Sequence, residues 1–345
     1  MTKNVAVVGA TGAVGTEMLR CLETRDFPVG ELHLLASAAS AGKAVRFKGQ
    51  DVTLKALEGF DFAGVDIALL AVDTDIALEC AARAMEAGAT VIDNSSAFRM
   101  RDDIPLVVPK VNGALLGDHP RLIANPNCVA AIMVMALAPL HRVARIERVH
   151  AASYQAASGA GLPAMRELEE STRAYLNGQK FEPKVLPHPY AFNFFSHNTP
   201  IDPDTGYNGE ETKVMRETRK IMDLPDLRIS ITCVRVPVLR AHGIAMSVEF
   251  DQVVTAETAR EVLAHAPGVR LVDDAVANRF PMPVEASGIE DVLVGRIRRD
   301  VSDPSGKTLS LFVCGDQLLK GAALNAVQIA QLLHDRGLIK QRALA

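Results

Sequence analysis

The sequence predicts an α/β protein of two domains: a Rossmann-like domain on a parallel sheet, then an α+β domain on a mixed sheet. Three observations predict it. Short apolar runs at residues 5–9, 31–37, 65–72 and 89–94 are separated by stretches that include helical patterns, the signature of βαβ units. A glycine-rich turn joins the first strand to the first helix. From residue 146 the apolar runs lengthen, to 146–157, 228–237 and 244–253, as in a mixed or antiparallel sheet. The 345 residues suffice for two sizeable cores.

In chain order, the strand at 5–9 leads into a helix ending near residue 25, and a second strand follows at 31–37. A buried strand at 65–72 precedes a helix at 75–87 and a strand at 89–94. The pattern changes near Asn125. The run 129–140 is apolar nearly all round, so its helix is expected to be deeply buried. A long strand at 146–157 and a helix at 163–177 come next; residues 181–207, rich in Pro, Asn and His, read as a surface excursion. A helix at 210–222 leads to strands at 228–237, 244–253, 292–299 and 309–314. The last helix, 321–336, is expected to return to the first domain. The division is therefore 1–127, joined by a C-terminal helical segment 318–345, and 128–317.

Composition excludes several classes. Hydrophobic residues make up 48% and charged residues 23% of the chain, and the formal net charge is −4 with scattered basic residues. Nucleic acid and anionic membrane are not expected partners. No apolar stretch reaches the length of a membrane span, and Met1-Thr2-Lys3-Asn4 runs straight into a strand without a signal-peptide pattern, so a cytoplasmic location is expected. The five cysteines are far apart and form no C-x-x-C pair, and the nine histidines show no ligand spacing. Neither a disulfide framework nor a metal site is expected.

The first strand and its turn read Val5-Ala-Val-Val-Gly9-Ala-Thr11-Gly12-Ala13-Val14-Gly15. Glycines at G-x-x-G-x-x-G spacing permit positive φ and let backbone approach a pyrophosphate, which the helix start then holds by its N–H groups and dipole. Residues 1–127 thus read as a dinucleotide-binding domain. The second strand ends at Ser37 and continues Ala38-Ala39-Ser40 with no acidic residue to grip a ribose hydroxyl, and Lys43 lies near. That end of the strand favours NADP over NAD.

One cysteine stands out by context. Ile123-Ala-Asn125-Pro-Asn127-Cys128 precedes a helix, and a cysteine at a helix start has its thiolate stabilised by the dipole. A thiolate beside a nicotinamide suits aldehyde oxidation or thioester reduction. Taken alone, each cysteine reads first as a buried small hydrophobe, and only local context singles one out.

Taken together in this order, Asn125-Pro-Asn-Cys128, Ser153-Tyr-Gln155, Ser158-Gly-Ala-Gly161, Cys233-Val-Arg235-Val-Pro237 with His242, and Lys320-Gly-Ala-Ala-Leu-Asn-Ala-Val-Gln328 resemble the bacterial aspartate-semialdehyde dehydrogenase family. The resemblance runs nearly end to end. It implies Cys128 as the acyl-accepting nucleophile, His242 as its general acid/base, and Gln155 as the residue orienting the substrate. Arg235 would pair with the α-carboxylate, Glu210 with the α-ammonium, and Lys213 and Arg99 with phosphate; Asn127 would line the substrate site. The glycine loop, Ser37, Ala39, Ser40, Ser158, Gly159 and Gln317 would contact NADP. It further implies a catalytic, substrate and dimerisation domain at 128–317, a homodimer, and aspartyl phosphate, aspartate semialdehyde and phosphate as ligands, within lysine, threonine and methionine biosynthesis. Two departures stand out. Ala39 replaces the family's usual arginine in the stretch after the second strand, weakening the expected grip on a 2′-phosphate, and Gln317 stands where asparagine is common.

The physical chemistry agrees. Glu210 and Lys213 are three apart and share a helix face; Arg235 lies in an apolar strand, where an unpaired charge is costly. Two rival readings carry distinct consequences. An N-acetyl-glutamyl-phosphate reductase would share the chemistry but bind no ammonium, leaving Glu210 without that role. A non-catalytic NADP-binding regulator would leave Cys128 unreactive.

Overall fold

Val5, Ala6, Val7 and Val8 are wholly buried, and this apolar run places β1 (Lys3–Val8) inside a sheet. A computed structural model describes residues 1–117 and 119–339 and divides the chain after Asn127 and again after Gly321. In the first unit β1 is followed by α1 (Ala13–Thr24), β2 (Val29–Ala36), β3 (Ala44–Phe47), β4 (Gln50–Ala56), β5 (Ile67–Leu70), α2 (Thr74–Glu86), β6 (Thr90–Asp93), α3 (Pro109–Asn112) and β7 (Leu122–Ala124). The described strands pair in the order β3-β4-β2-β1-β5-β6-β7. All neighbours are parallel except β3 and β4, which form an antiparallel hairpin. The chain leaves β1 towards β2 on one side and later reaches β5 on the other, so the end of β1 is a switch point of the kind that holds ligands in α/β sheets.

The second unit opens with α4 (Cys128–His141), β8 (Ile146–Gln155), α5 (Gly161–Leu176) and β9 (Phe195–Ser196). It continues with α6 (Gly209–Met222), β10 (Arg228–Arg235), β11 (His242–Phe250), α7 (Ala256–Ala264), β12 (Val269–Leu271), α8 (Pro283–Ala286), β13 (Val292–Arg299) and β14 (Thr308–Gly315). The sheet order is β12-β13-β14-β11-β8-β10-β9, and it is mixed: β8 with β10 and β12 with β13 are parallel, the other pairs antiparallel. Every residue from Val129 to Leu140 is buried, as the all-round apolar pattern predicts. α4 packs against the sheet beside α6 and α7. Alternation along β8 shows the same layering, with Val149, Ala151, Ser153 and Gln155 buried and Arg148, His150 and Tyr154 exposed.

A π-helical turn, Leu319–Ala323, leads into α9 (Leu324–Asp335), which packs against α1, α3 and β6 of the first unit. The part of the expected C-terminal segment beyond residue 339 lies outside the described residues. Among the described residues no helix is long and apolar enough to cross a membrane.

The sequence reading misses β3, β4, β7, β9, β12, α3, α7 and α8. β3 and β4 are mostly exposed and polar, so they carry no apolar run; their two-residue turn, Lys48-Gly49, has φ of 45° and 79°, the primed hairpin geometry. Residues 181–207 run mostly along the surface, as the sequence predicts, with a buried minority. Leu186, Tyr190, His197 and Asn208 are buried in or just beyond this stretch, because the segment folds back onto the edge of β10 through β9.

The glycine turn is sterically determined at two of its three positions. Gly9 has φ +82°, and a Cβ there would lie 2.2 Å from the Ala71 carbonyl oxygen; a Cβ on Gly15 would lie 2.1 Å from the Gly9 oxygen. On Gly12 a Cβ would meet the same oxygen at an ordinary 3.4 Å. Gly15→Ala is expected to lower the unfolding free energy by about 1–3 kcal/mol, and Gly12→Ala by less than about 0.5 kcal/mol. Urea titration of the two variants checks this, and equal losses would contradict it.

Candidate active site

In the first unit the glycine turn closes with Gly12 N–H donating to Gly9 O at 3.0 Å. Gly12 caps α1 and offers no side-chain acceptor; Thr11 and Gly12 are exposed, Ala13 and Val14 half-buried and Gly15 buried. The close backbone, positive φ and helix start fit a dinucleotide pyrophosphate. Ser37 and Ala39 are exposed in the turn after β2, with Ser40 half-buried and Lys43 exposed.

Arg99 is buried and anchored by backbone: its Nε donates to Asn125 O at 2.9 Å and its Nη2 to Asn94 O at 2.7 Å. The segment carrying buried Asn127 is fixed by an amide ladder. Asn125 Nδ2 donates to Asn94 Oδ1 at 2.9 Å, while Asn325 Nδ2 donates to Asn125 Oδ1 at 2.7 Å and to Val107 O at 2.8 Å. Satisfied networks of this kind rigidify a loop.

In the second unit Cys128 is the first residue of α4 and is half-buried, whereas the other four cysteines are buried. Burial pushes the Cys314 thiol up to about 12 and the Cys233 thiol still further, so both are packed, protonated groups. Cys128 Sγ lies 3.5 Å from His242 Nε2. A Cβ on Gly321 would lie 2.6 Å from Cys128 Cβ, so only glycine at 321 leaves Cys128 its place.

His242 is fully buried, and burial, then the charge of Arg235 and proximity to His197, hold it down at about 3. The Ala156 N–H donates to its Nδ1 at 3.0 Å. The ring is therefore neutral at pH 7 with its proton on Nε2, facing the sulfur. Ala241 before it sits at φ +70°, a left-handed conformation costing about 1–2 kcal/mol. Its N–H donates to Gln317 Oε1 at 2.8 Å, and Gln317 Nε2 donates to Ser158 Oγ. Gln317 is buried with both ends of its amide engaged, holding the 158 turn to the approach of His242.

Strand register gathers the remaining groups. Gln155 ends β8 and Arg235 ends β10, and the two are direct partners in the parallel ladder; His242 opens β11 at the same end of the sheet. Gln155 Nε2 donates to Ser153 Oγ at 3.3 Å and to Glu210 Oε1 at 3.4 Å. Glu210 is buried in the first turn of α6, and half-buried Lys213 lies on the same helix face. Exposed Gly159 stands between His242 and Arg235: a Cβ there would lie 3.3 Å from Nε2 and 3.5 Å from Nη1.

The structure adds residues that the sequence reading passes over. Arg235 Nη2 donates to His197 Nε2 at 2.9 Å and Nε donates to Asn198 Oδ1 at 3.1 Å. Arg235 Nη1 is buried without a hydrogen-bond partner. Because His197 Nε2 accepts, its proton sits on Nδ1 and donates to Thr199 Oγ1 at 3.3 Å. Burial, then the Arg235 charge, hold His197 at about 4. Thr199 Oγ1 also accepts the Glu210 N–H at 3.0 Å, and Glu211 accepts the Cys233 N–H at 2.9 Å while completing the capping box with Asn208. The start of α6 and the end of β10 are thus tied together. A polar His-Asn-Thr run before a helix cap was the available signal.

Two outcomes follow from this geometry. Above pH 6.5 both buried histidines are neutral in folded and unfolded chains. As the pH falls the unfolded chain takes up protons that the folded chain refuses until about 4 at His197 and about 3 at His242. Stability is therefore lost on acidification, by about 2–3 kcal/mol per histidine near pH 4.5. Urea unfolding of wild type and His197→Gln at pH 7 and 4.5 checks this, the variant showing the shallower loss. Separately, Gly321→Ala should displace the thiol from His242 and slow Cys128 alkylation by iodoacetamide at pH 7 about tenfold, some 1.4 kcal/mol; an unchanged rate would contradict the packing argument.

Residues 4–119 match the family model described as semialdehyde dehydrogenase, NAD binding domain, and residues 137–320 match semialdehyde dehydrogenase, dimerisation domain. An aspartate-semialdehyde dehydrogenase of Synechocystis sp. is 50% identical over 333 residues, covering 96% of this chain and 98% of its own length. The Bacillus subtilis enzyme of that name is 44% identical over 344 residues, covering 97% and 99%. Among solved structures, aspartate semialdehyde dehydrogenase II of Vibrio cholerae, complexed with ASA, matches with a TM-score of 0.92 at 41% identity over 97% of this chain and 99% of that one. A probable aspartate-semialdehyde dehydrogenase of Pseudomonas aeruginosa matches with a TM-score of 0.92 at 30% identity, covering 98% and 100%. With both domain models matched and relatives alike over nearly their whole length, the chain belongs to the aspartate-semialdehyde dehydrogenase family, oxidoreductases built on an NAD(P)-binding domain and a dimerisation domain.

Proposed function

We propose that the chain reduces 4-phospho-L-aspartate to L-aspartate 4-semialdehyde with NADPH through a thioester on Cys128. The observation that carries this reading is the half-buried Cys128 at the start of α4, its Sγ 3.5 Å from the protonated Nε2 of a neutral His242. The α4 dipole and that N–H both favour the thiolate. The sulfur attacks the acyl carbon; the S–C bond forms, and the C–O bond to phosphate breaks with its electron pair. The single proton consumed goes to the departing phosphate. Bound NADPH supplies the hydride that takes the acyl group to the aldehyde level. The sulfur then leaves as thiolate, again accepting the hydrogen bond of His242. His242 thereby serves the thiol mainly as a donor, narrower than the acid/base role that the family resemblance implies.

Arg235 takes the α-carboxylate, Glu210 the α-ammonium, and Gln155, which already bonds Glu210, orients the chain between them. Lys213 is assigned to phosphate, as are Arg99 and, for the substrate, Asn127 in the first unit. Gly9, Thr11, Gly12, Ala13, Val14 and Gly15 hold the pyrophosphate, and Ser37, Ala39 and Ser40 lie toward the ribose. Ser158 and Gly159 are assigned to the dinucleotide as well, with Gln317 holding Ser158 in place. The absence of an acidic residue after β2 favours NADP over NAD, though Ala39 contributes no guanidinium. The match to a dimerisation domain supports a homodimer, and we place the enzyme in the cytoplasm, in amino-acid biosynthesis.

Following NADPH formation from aspartate semialdehyde and phosphate tests the reading, with NAD and N-acetylglutamate semialdehyde as comparisons. Wild type should turn over the free amino aldehyde with NADP and Cys128→Ala should not; full turnover by Cys128→Ala would sink the proposal. Glu210→Gln should raise the KM for aspartate semialdehyde about tenfold or more. An unchanged KM would remove the amine assignment and bring the N-acetyl substrate back.

A further inference from the structure

The segment between α5 and α6 meets the catalytic sheet at one place. Phe195 of β9 stands directly opposite Arg235 of β10 in antiparallel register. The ring of Tyr190 packs on Phe195, with centroids 5.5 Å apart, and sits in a cluster with Ala157, Ala164, Leu168 and Leu186. Tyr190 is 1% exposed, and its hydroxyl is buried without a hydrogen-bond partner. Arg235 Nη1 is in the same condition. Burial raises the phenol to about 12 while the Arg235 charge pulls the other way, so the hydroxyl keeps its proton and the two groups sense one another.

Two buried donors without partners are costly. An acceptor with at least two lone pairs and a negative charge would satisfy both. The other guanidinium nitrogens are held by neutral acceptors, His197 and Asn198. Neutral partners fix the plane of the guanidinium without cancelling its charge, which leaves that charge for a ligand.

We propose that the Tyr190 hydroxyl and Arg235 Nη1 together receive the α-carboxylate of the substrate, and that His197 and Asn198 are positioning residues that aim Arg235 at it. This rests on the assignment of Arg235 to the carboxylate made above. The segment 190–198 thereby becomes a specificity element for amino aldehydes that carry a carboxylate beside the amine. His197 acts only while its Nε2 is unprotonated, and Thr199 secures that tautomer by taking the Nδ1 proton.

The test compares aspartate semialdehyde with 3-aminopropanal, the same amino aldehyde without the carboxylate, in the NADP- and phosphate-dependent oxidation. Tyr190→Phe should lower the kcat/KM preference for aspartate semialdehyde about tenfold or more, the value of a hydrogen bond to a charged group, with the loss in KM rather than kcat. His197→Leu should do the same and His197→Gln, which keeps an acceptor for Arg235, should restore most of it. Thermal unfolding identifies any variant that fails to fold, and the conservative Tyr190→Phe keeps the proposal testable should His197→Leu do so. An unchanged preference in folded Tyr190→Phe, or equal losses on both aldehydes, overturns the proposal. Arg235→Gln separates the two levels. If it too leaves the preference unchanged, the carboxylate assignment of Arg235 itself fails; if it abolishes the preference while Tyr190→Phe does not, only the Tyr190 role fails.

Discussion

A guanidinium buried at the end of a sheet is the constraint around which the second unit is arranged. Arg235 cannot shed its proton to escape burial, so its surroundings must accommodate a permanent charge. They do so with neutral acceptors on two nitrogens and with Glu210 nearby in the first turn of α6. The same charge helps keep His197 and His242 neutral. A neutral His242, with a backbone N–H on one nitrogen, turns its only proton toward Cys128. The electrostatic surroundings of Cys128 thus trace back to where one arginine lies in a strand.

Position follows from strand pairing. A parallel β8–β10 ladder sets Gln155 opposite Arg235, and antiparallel β11 begins with His242 at that end. Side chains from three strands converge without long loops, and rigid elements position groups better than loops do. What loops remain are tied down: the 158 turn by Gln317, and the start of α6 by its capping box and the Cys233 amide. Gly321 serves the same end by having no side chain where Cys128 must sit.

Much of this was legible in the sequence, for physical reasons. Apolar periodicity marks buried strands and the all-round buried helix, so β1, β5, β6, β8 and α4 were foreseeable. The glycine turn carried its own steric logic. Cys128, Gln155, Arg235 and His242 stood in motifs whose residue types suit acyl transfer. What stayed hidden depends on tertiary contact. Tyr190, His197 and Asn198 lie in a segment without periodicity, and only its return to the edge of β10 buries them. Gln317, read from its motif as a cofactor contact, also bonds the 158 turn and Ala241 through its amide. The tautomer of His242 depends on an amide 86 residues away in sequence, which no motif records.

The proposed reaction requires Cys128 to carry the acyl group. Incubating the enzyme with NADP and aspartate semialdehyde in the absence of phosphate should halt the reaction at that stage. Mass spectrometry of the digested protein should then find one aspartyl group on the peptide containing Cys128, removable by hydroxylamine. An unmodified Cys128 in enzyme that has formed a stoichiometric burst of NADPH, or an acyl group on another residue, would contradict the account.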